Sequence, residues 1–199
     1  MLRRTKRIDL LDIGFEDAQR LIGLASKEKH RKKRFVGIEV TKAKVQHKLH
    51  NLNLVYADAF DRLKRMRPNS VRIMTTDFLF TEFKVNGVDL AELGWRRNLF
   101  EKAFLKRRVD LSKEVARVLV PNGRFVVIEY KENLAPTLEV LKDAGFSCSV
   151  KPVPEQDLAK TKFLKLIQEK RQQQPNMRER MQPMRIVARK RKGWPNETR

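Results

Sequence analysis

The 199-residue chain predicts a doubly wound α/β fold: a seven-stranded, mostly parallel sheet with helices on both faces. Two observations carry that expectation. Short apolar runs rich in β-branched residues recur along the chain, and the intervals between them repeat apolar residues at helical spacing. Strand–helix alternation of this kind, repeated five times, implies parallel strands, because right-handed crossovers place the helices on the two faces.

The first run, 8–13 (IDLLDI), is short enough for a buried strand, and Ala18, Leu21, Ile22 and Ala25 mark the helix after it. The second run is 35–40 (FVGIEV); Thr41 then caps an expected helix bearing Val45 and Leu49. Runs at 52–56 (LNLVY) and 71–75 (VRIMT) give strands three and four. Leu99, Ala103 and Phe104, then Leu111, Val115, Val118 and Leu119, predict two helices or one broken helix, stopped by Pro121-Asn122-Gly123. Strand five is 124–130 (RFVVIEY), followed by a helix carrying Leu134, Leu138 and Leu141 that ends at Gly145. Strand six is 146–150 (FSCSV). Pro152 and Pro154 open a basic helix with Leu158, Phe163 and Ile167, and a last strand, Met184 to Ala188, precedes the tail Arg189–Lys192. Residues 154–183 therefore read as a basic insertion in the last hairpin of a single domain spanning 1–199.

A hydrophobic content of 41% supplies a core and argues against a disordered chain. No apolar stretch approaches the roughly 20 residues of a spanning helix, and the four basic residues of Met1–Arg7 are not followed by an apolar leader segment. Cys148 is the single cysteine, so neither an internal disulfide nor a cysteine metal cage can form, which suits a reducing compartment. The expectation is a cytoplasmic protein without a membrane partner or a bound metal.

Lys and Arg number 45 against 24 acids, a net charge of +21. Four stretches hold the excess: 1–7 (+4), 27–34 (+5), 96–117 (+5) and 160–192 (+10). Clustered cations attract polyanions by releasing condensed counterions, so RNA or DNA is the leading partner class. A merely basic, well-solvated surface is the competing reading. Aromatic residues are only 8% of the chain and fall mostly in apolar runs, which favours phosphate contact over base stacking.

Ligands of open α/β sheets bind at the carboxyl ends of the strands, and those ends are acidic here. Strand one ends in Asp12-Ile13-Gly14-Phe15, strand two in Glu39, strand three in Ala57-Asp58-Ala59 and strand four in Thr75-Thr76-Asp77. An acid after strand two, such as Glu39, stands where it can accept hydrogen bonds from both hydroxyls of a ribose.

This order of features resembles the class I S-adenosylmethionine-dependent methyltransferases, a Rossmann-like family, over residues 8 to about 150. The resemblance implies S-adenosyl-L-methionine as cofactor. It implies Asp12, Gly14 and Phe15 around the methionine part, Glu39 on the ribose, and Asp58 with the backbone of Ala59 at the adenine. Within the superfamily, the chain is most similar to the tRNA guanine-N7 methyltransferases, through Phe35–Val40, Lys106-Arg107-Arg108 and Ala116–Leu119. It departs from the pattern in three places. The second and third glycines of the first loop are Glu16 and Ala18, the Pro-Asp-Pro-Trp-Pro motif after strand four keeps only Asp77, and Thr161 is followed three residues on by Leu164 instead of Glu.

Methyl transfer from a sulfonium is an in-line displacement that depends on alignment and desolvation, so a ring nitrogen needs no strong base. Asp77 is the candidate catalytic residue, orienting the acceptor or the cofactor amine. Cys148, in a late strand, reads as core and not as the nucleophile that methylation of pyrimidine carbon five requires. The RNA contacts are expected from Arg96, Arg97, Lys106, Arg107 and Arg108, and from Lys160, Lys162 and Lys165 in the basic insertion. The sequence thus predicts an RNA methyltransferase acting on a base of tRNA or rRNA. An inactive RNA-binding relative and a protein lysine methyltransferase remain as alternatives.

Overall fold

A computed structural model describes residues 7–14, 18–39, 45, 47–77, 97–158 and 182–191. The strands are β1 (Ile8–Ile13), β2 (Phe35–Glu39), β3 (Leu52–Tyr56), β4 (Val71–Asp77), β5 (Leu119–Tyr130), β6 (Phe146–Pro152) and β7 (Pro183–Lys190). The helices are α1 (Gln19–Ala25), α2 (Ala59–Lys64), α3 (Arg97–Val118), α4 (Leu134–Asp143) and the short α5 (Glu155–Leu158). The sheet order is β3-β2-β1-β4-β5-β7-β6. The pairs from β3 to β5 are parallel, and β7 runs antiparallel between β5 and β6. The doubly wound, mostly parallel sheet is therefore as expected.

Register divides the side chains between two cores, since alternate residues of a strand point to opposite faces. Leu10 stands opposite Phe35, and Phe35 opposite Leu52. These three pack with Ala18, Leu21 and Ala25 beneath α1. On the other face Leu11, Ile38, Met74, Phe125 and Val127 meet Leu63 of α2, Leu111 and Val115 of α3, and Leu141 of α4. Each fully buried Leu or Phe contributes about 1.5–3 kcal/mol relative to exposure.

Helix α2 is too short to persist alone and is held at both ends. The Asp58 carboxylate accepts from the Phe60 and Asp61 amides at 2.9 and 3.1 Å. At the other end Arg117 of α3 donates to the Leu63 and Met66 carbonyls at 2.7 and 2.9 Å, while Glu114 fixes its Nε at 2.8 Å.

Several boundaries differ from expectation. Val45 and residues 47–49 are not helical, although Val45 and Leu49 do pack against the α1 core. One apolar pair four residues apart can anchor an irregular segment as well as a helix, and Val, His and Asn are indifferent helix formers. Thr41 lies outside the described residues. Helix α3 is one unbroken helix from Arg97, consistent with the lack of any Gly or Pro inside it. Pro121-Asn122-Gly123 does not separate helix from strand but lies within β5, which begins at Leu119. There β5 bulges, stepping from Leu119 opposite Val71 to Arg124 opposite Ile73, with Asn122 at φ 62. Gly123 is needed because a Cβ would sit 2.7 Å from the Val120 carbonyl oxygen. Most of the expected basic insertion, 159–181, lies outside the described residues; it joins β6 and β7 where Pro152 stands opposite Met184.

Replacing Arg117 by Met keeps its apolar stem but strips the charged donor from the α2 carbonyls. Urea denaturation should show a loss of about 2 kcal/mol, whereas a change below about 0.5 kcal/mol would contradict this role.

Candidate active site

The chain passes from β1 through α1 to β2 on one side, and from β3 through α2 to β4 on the other, so the strand order reverses at the β1–β4 pair. A reversal of this kind opens a crevice at the carboxyl ends of the two strands. Register then selects which side chains line it. Asp12 pairs with Thr75 across the reversal and with Gly37 on its other flank. Thr75 and Asp77 are two residues apart, as are Gly37 and Glu39, so Asp12, Thr75, Asp77 and Glu39 share the face that α1 covers.

Gly14 turns the chain out of β1 at φ +74, and its amide donates to the Ile38 carbonyl at 2.9 Å. Ala18 holds the left-handed conformation, φ 59, at the start of α1. Ala18, at the position where the resemblance would put the third glycine, thus holds a glycine-like backbone, at a cost of roughly 1 kcal/mol. One residue into α1 stands Arg20. Its Nη2 donates to Asp12 Oδ1 at 2.6 Å and to Thr75 Oγ1 at 3.2 Å, and its Nη1 reaches Asp77 Oδ2 at 3.5 Å. The Thr75 hydroxyl in turn donates to Asp12.

The side chain of Asp12 is 5% exposed, and burial raises its pKa to about 6 against the opposing pull of Arg20. Asp77 is pushed upward as well, chiefly by burial. Two carboxylates hold Arg20 charged against the cost of its own burial. The cluster opens outward on the Arg20 side, which is 36% exposed.

Asp58, the expected adenine partner, already caps α2 with Oδ1, and its Oδ2 accepts from Arg107 Nη2 at 2.9 Å. A carboxylate offers about four acceptor positions, so one remains. Ala59 begins α2 beside it. Glu39 ends β2, and the Ala57 amide donates to its carbonyl at 2.9 Å.

The expected RNA contacts divide. Lys106 is exposed on α3, but Arg107 is engaged with Asp58. Arg108 must be corrected: it is 6% exposed, facing the core side of α3, where burial lowers its pKa and the charge of the fully buried Glu129 opposes that fall. Successive helical residues are turned by about 100°, so Lys106 and Arg108 stand about 200° apart, and with Lys106 facing solvent Arg108 faces the core. The described part of Arg97 is its backbone, in the first turn of α3. Phe15, Arg96, Lys160, Lys162 and Lys165 lie outside the described residues. Arg20 and Thr75 were not anticipated; the available signal was the single charged residue in 18–25, eight residues after Asp12.

No family model matches the chain, and no curated protein matches it. Solved structures do. The 16S rRNA methyltransferase KamB superposes with a TM-score of 0.59 at 14% identity, covering 92% of this chain and 88% of that one. An S-adenosylmethionine-dependent methyltransferase from Mesorhizobium loti gives 0.57 at 11% identity, covering 96% and 94%. The fold is that of the class I methyltransferases. The same methyltransferase fold is found in the [4+2]-cyclase SpnF, with a TM-score of 0.52 at 17% identity over 94% of this chain and 76% of that chain. The fold therefore leaves the reaction to be argued from the site.

Asp12 binds its proton more tightly in the folded protein than in the unfolded chain, so its ionisation costs stability above about pH 6. Relative to Asp12→Asn, the wild type should gain stability as pH falls from about 7 to about 4, by as much as ~3 kcal/mol in chemical denaturation. A wild type that instead loses stability against the variant in acid would contradict the assignment.

Proposed function

We propose that the chain is an S-adenosylmethionine-dependent RNA methyltransferase acting on a base of tRNA or rRNA. The observation that carries this reading is the row of carboxylates Asp12, Glu39 and Asp77 on one sheet face across the strand reversal, with Asp58 after the next strand. Those acceptors fit the donor chemistry of the cofactor: a ribose diol for Glu39, an adenine amine for the remaining position on Asp58, and an ammonium for Asp77. Arg20, exposed on its outer edge, is the cation available for the cofactor carboxylate. When bound, the cofactor supplies an electrophilic methyl group on a sulfonium. Around it the protein aligns and desolvates, with Asp77 at the mouth of β4 orienting the incoming base.

The net charge of +21 supports an RNA acceptor, and KamB is a protein of this fold described as an rRNA methyltransferase. Among the conceivable acceptors a ring nitrogen fits best, in keeping with the sequence likeness to the tRNA guanine-N7 enzymes. Pyrimidine carbon five does not fit: Cys148 lies on β6, the outermost strand, three strands from β4, and burial raises its pKa. Protein lysine methylation is disfavoured because so positive a surface repels basic peptides.

Labelled S-adenosylmethionine and total RNA from cells lacking the gene should yield labelled RNA in the presence of the full chain. Cofactor binding without any transfer to RNA would refute an RNA acceptor, and RNA binding without cofactor binding would replace the enzyme by an RNA-binding protein. Glu39→Ala should weaken cofactor binding by about tenfold to a hundredfold, as expected for loss of charge-assisted hydrogen bonds. Unchanged calorimetric affinity would remove Glu39 from the site.

A further inference from the structure

The crevice occupies one end of the parallel sheet, and the opposite end is cationic. Connections entering the parallel strands there carry exposed Lys and Arg: Arg7 before β1, the 27–34 turn before β2, Lys48 before β3 and Arg65 before β4. β7 runs the other way, so its end returns to this pole and leaves Arg189 and Arg191 exposed beside the start of β6. Among the described residues, the exposed acids at this pole are Glu28, which is 3.7 Å from Arg31, and Asp143.

One pairing indicates that this charge does not serve the fold. Arg124 of β5 stands directly opposite Arg189 of β7, and both are exposed. Like charges facing one another across an antiparallel pair destabilise the sheet. Lys190 follows, buried, donating to Asn69 Oδ1 at 3.2 Å and to the Leu119 carbonyl at 3.1 Å. A binding partner that brings negative charge would relieve the repulsion.

Strands of five to seven residues separate this pole from the crevice by about 20 Å. A single nucleotide cannot span that distance, whereas a polyanion can. The exposed large apolar side chain among the described residues is Tyr56, and it ends β3 at the crevice pole. Among the described residues the cationic pole therefore presents charge without an exposed Phe, Tyr or Trp, which suits a helical backbone with its bases paired rather than splayed single strands.

We propose that the pole opposite the crevice docks the phosphate backbone of double-helical RNA. This rests on the reading of the chain as an RNA methyltransferase and narrows its substrate class. The acceptor belongs to a folded RNA large enough to touch both ends of the protein, with a helix anchored about 20 Å from the modified base.

Fluorescence anisotropy with a labelled RNA duplex, over a salt series, tests this on the full chain. Lys29→Ser/Lys32→Ser/Lys33→Ser should weaken duplex binding at least about tenfold and reduce the salt slope by about 1 for each lysine that contacts phosphate. Arg124→Ser/Arg189→Ser should also weaken binding, with a Tm no lower than that of the wild type. Both variants should bind S-adenosylmethionine as the wild type does. Unchanged duplex affinity and salt slope in both variants would overturn the proposal, as would loss of binding to phosphatidylserine vesicles with RNA binding intact. Intact methyl transfer with an unaltered slope refutes this surface alone. Weakened duplex binding in a protein that transfers no methyl group refutes the enzymatic reading and leaves the surface standing.

Discussion

Asp12 faces Thr75 across the one pair of strands where the winding of the sheet reverses, and Arg20 ties both to Asp77. This ion cluster fixes the floor of the crevice. It joins β1, β4 and the first turn of α1, and the left-handed Ala18 just before it sets the direction from which the guanidinium arrives. Two carboxylates share one cation in a mostly buried setting, and it is chiefly burial that raises the Asp12 and Asp77 pKa values, against the opposing pull of Arg20. Such a floor is poised to accept a cationic ligand group, because added positive charge relieves what the fold itself leaves unbalanced.

The two ends of the sheet thus differ in sign. Acids collect where the parallel strands finish and cations where they begin, although the chain as a whole is strongly basic. The acidic crevice suits a small ligand bearing hydroxyl, amine and ammonium donors. The cationic end suits a long polyanion held through its phosphates. In this account the two surfaces act on one substrate complex, one placing the methyl donor and the other anchoring the RNA.

Much of this was legible in the sequence because it depends on patterns repeated at every strand. Apolar runs of strand length, each ending in an acid, placed Asp12, Glu39, Asp58 and Asp77 at one edge, and the register of the sheet brings three of them onto one face. What was not legible depends on direction around a helix or on context. Arg108 and Lys106 look alike in sequence, yet one faces the core and the other solvent, set by a turn of 3.6 residues. Val45 and Leu49 satisfy a helical spacing without forming a helix, because their burial needs only two contacts against the α1 core. Pro121-Asn122-Gly123 carries the chemistry of a turn and is used as a bulge inside β5. Arg20 stayed hidden because its partners are two strands that only the topology brings together.

A crystal structure of the chain with S-adenosylhomocysteine decides whether the carboxyl ends of β1 and β2 hold the cofactor. The ligand is expected across the carboxyl ends of β1 and β2, its ribose hydroxyls hydrogen-bonded to Glu39, its adenine beside Asp58 and its amino-acid end at Arg20 and Asp77. A crevice still closed by the Arg20–Asp12–Asp77 cluster, with the ligand bound elsewhere or absent at saturating concentration, would contradict it.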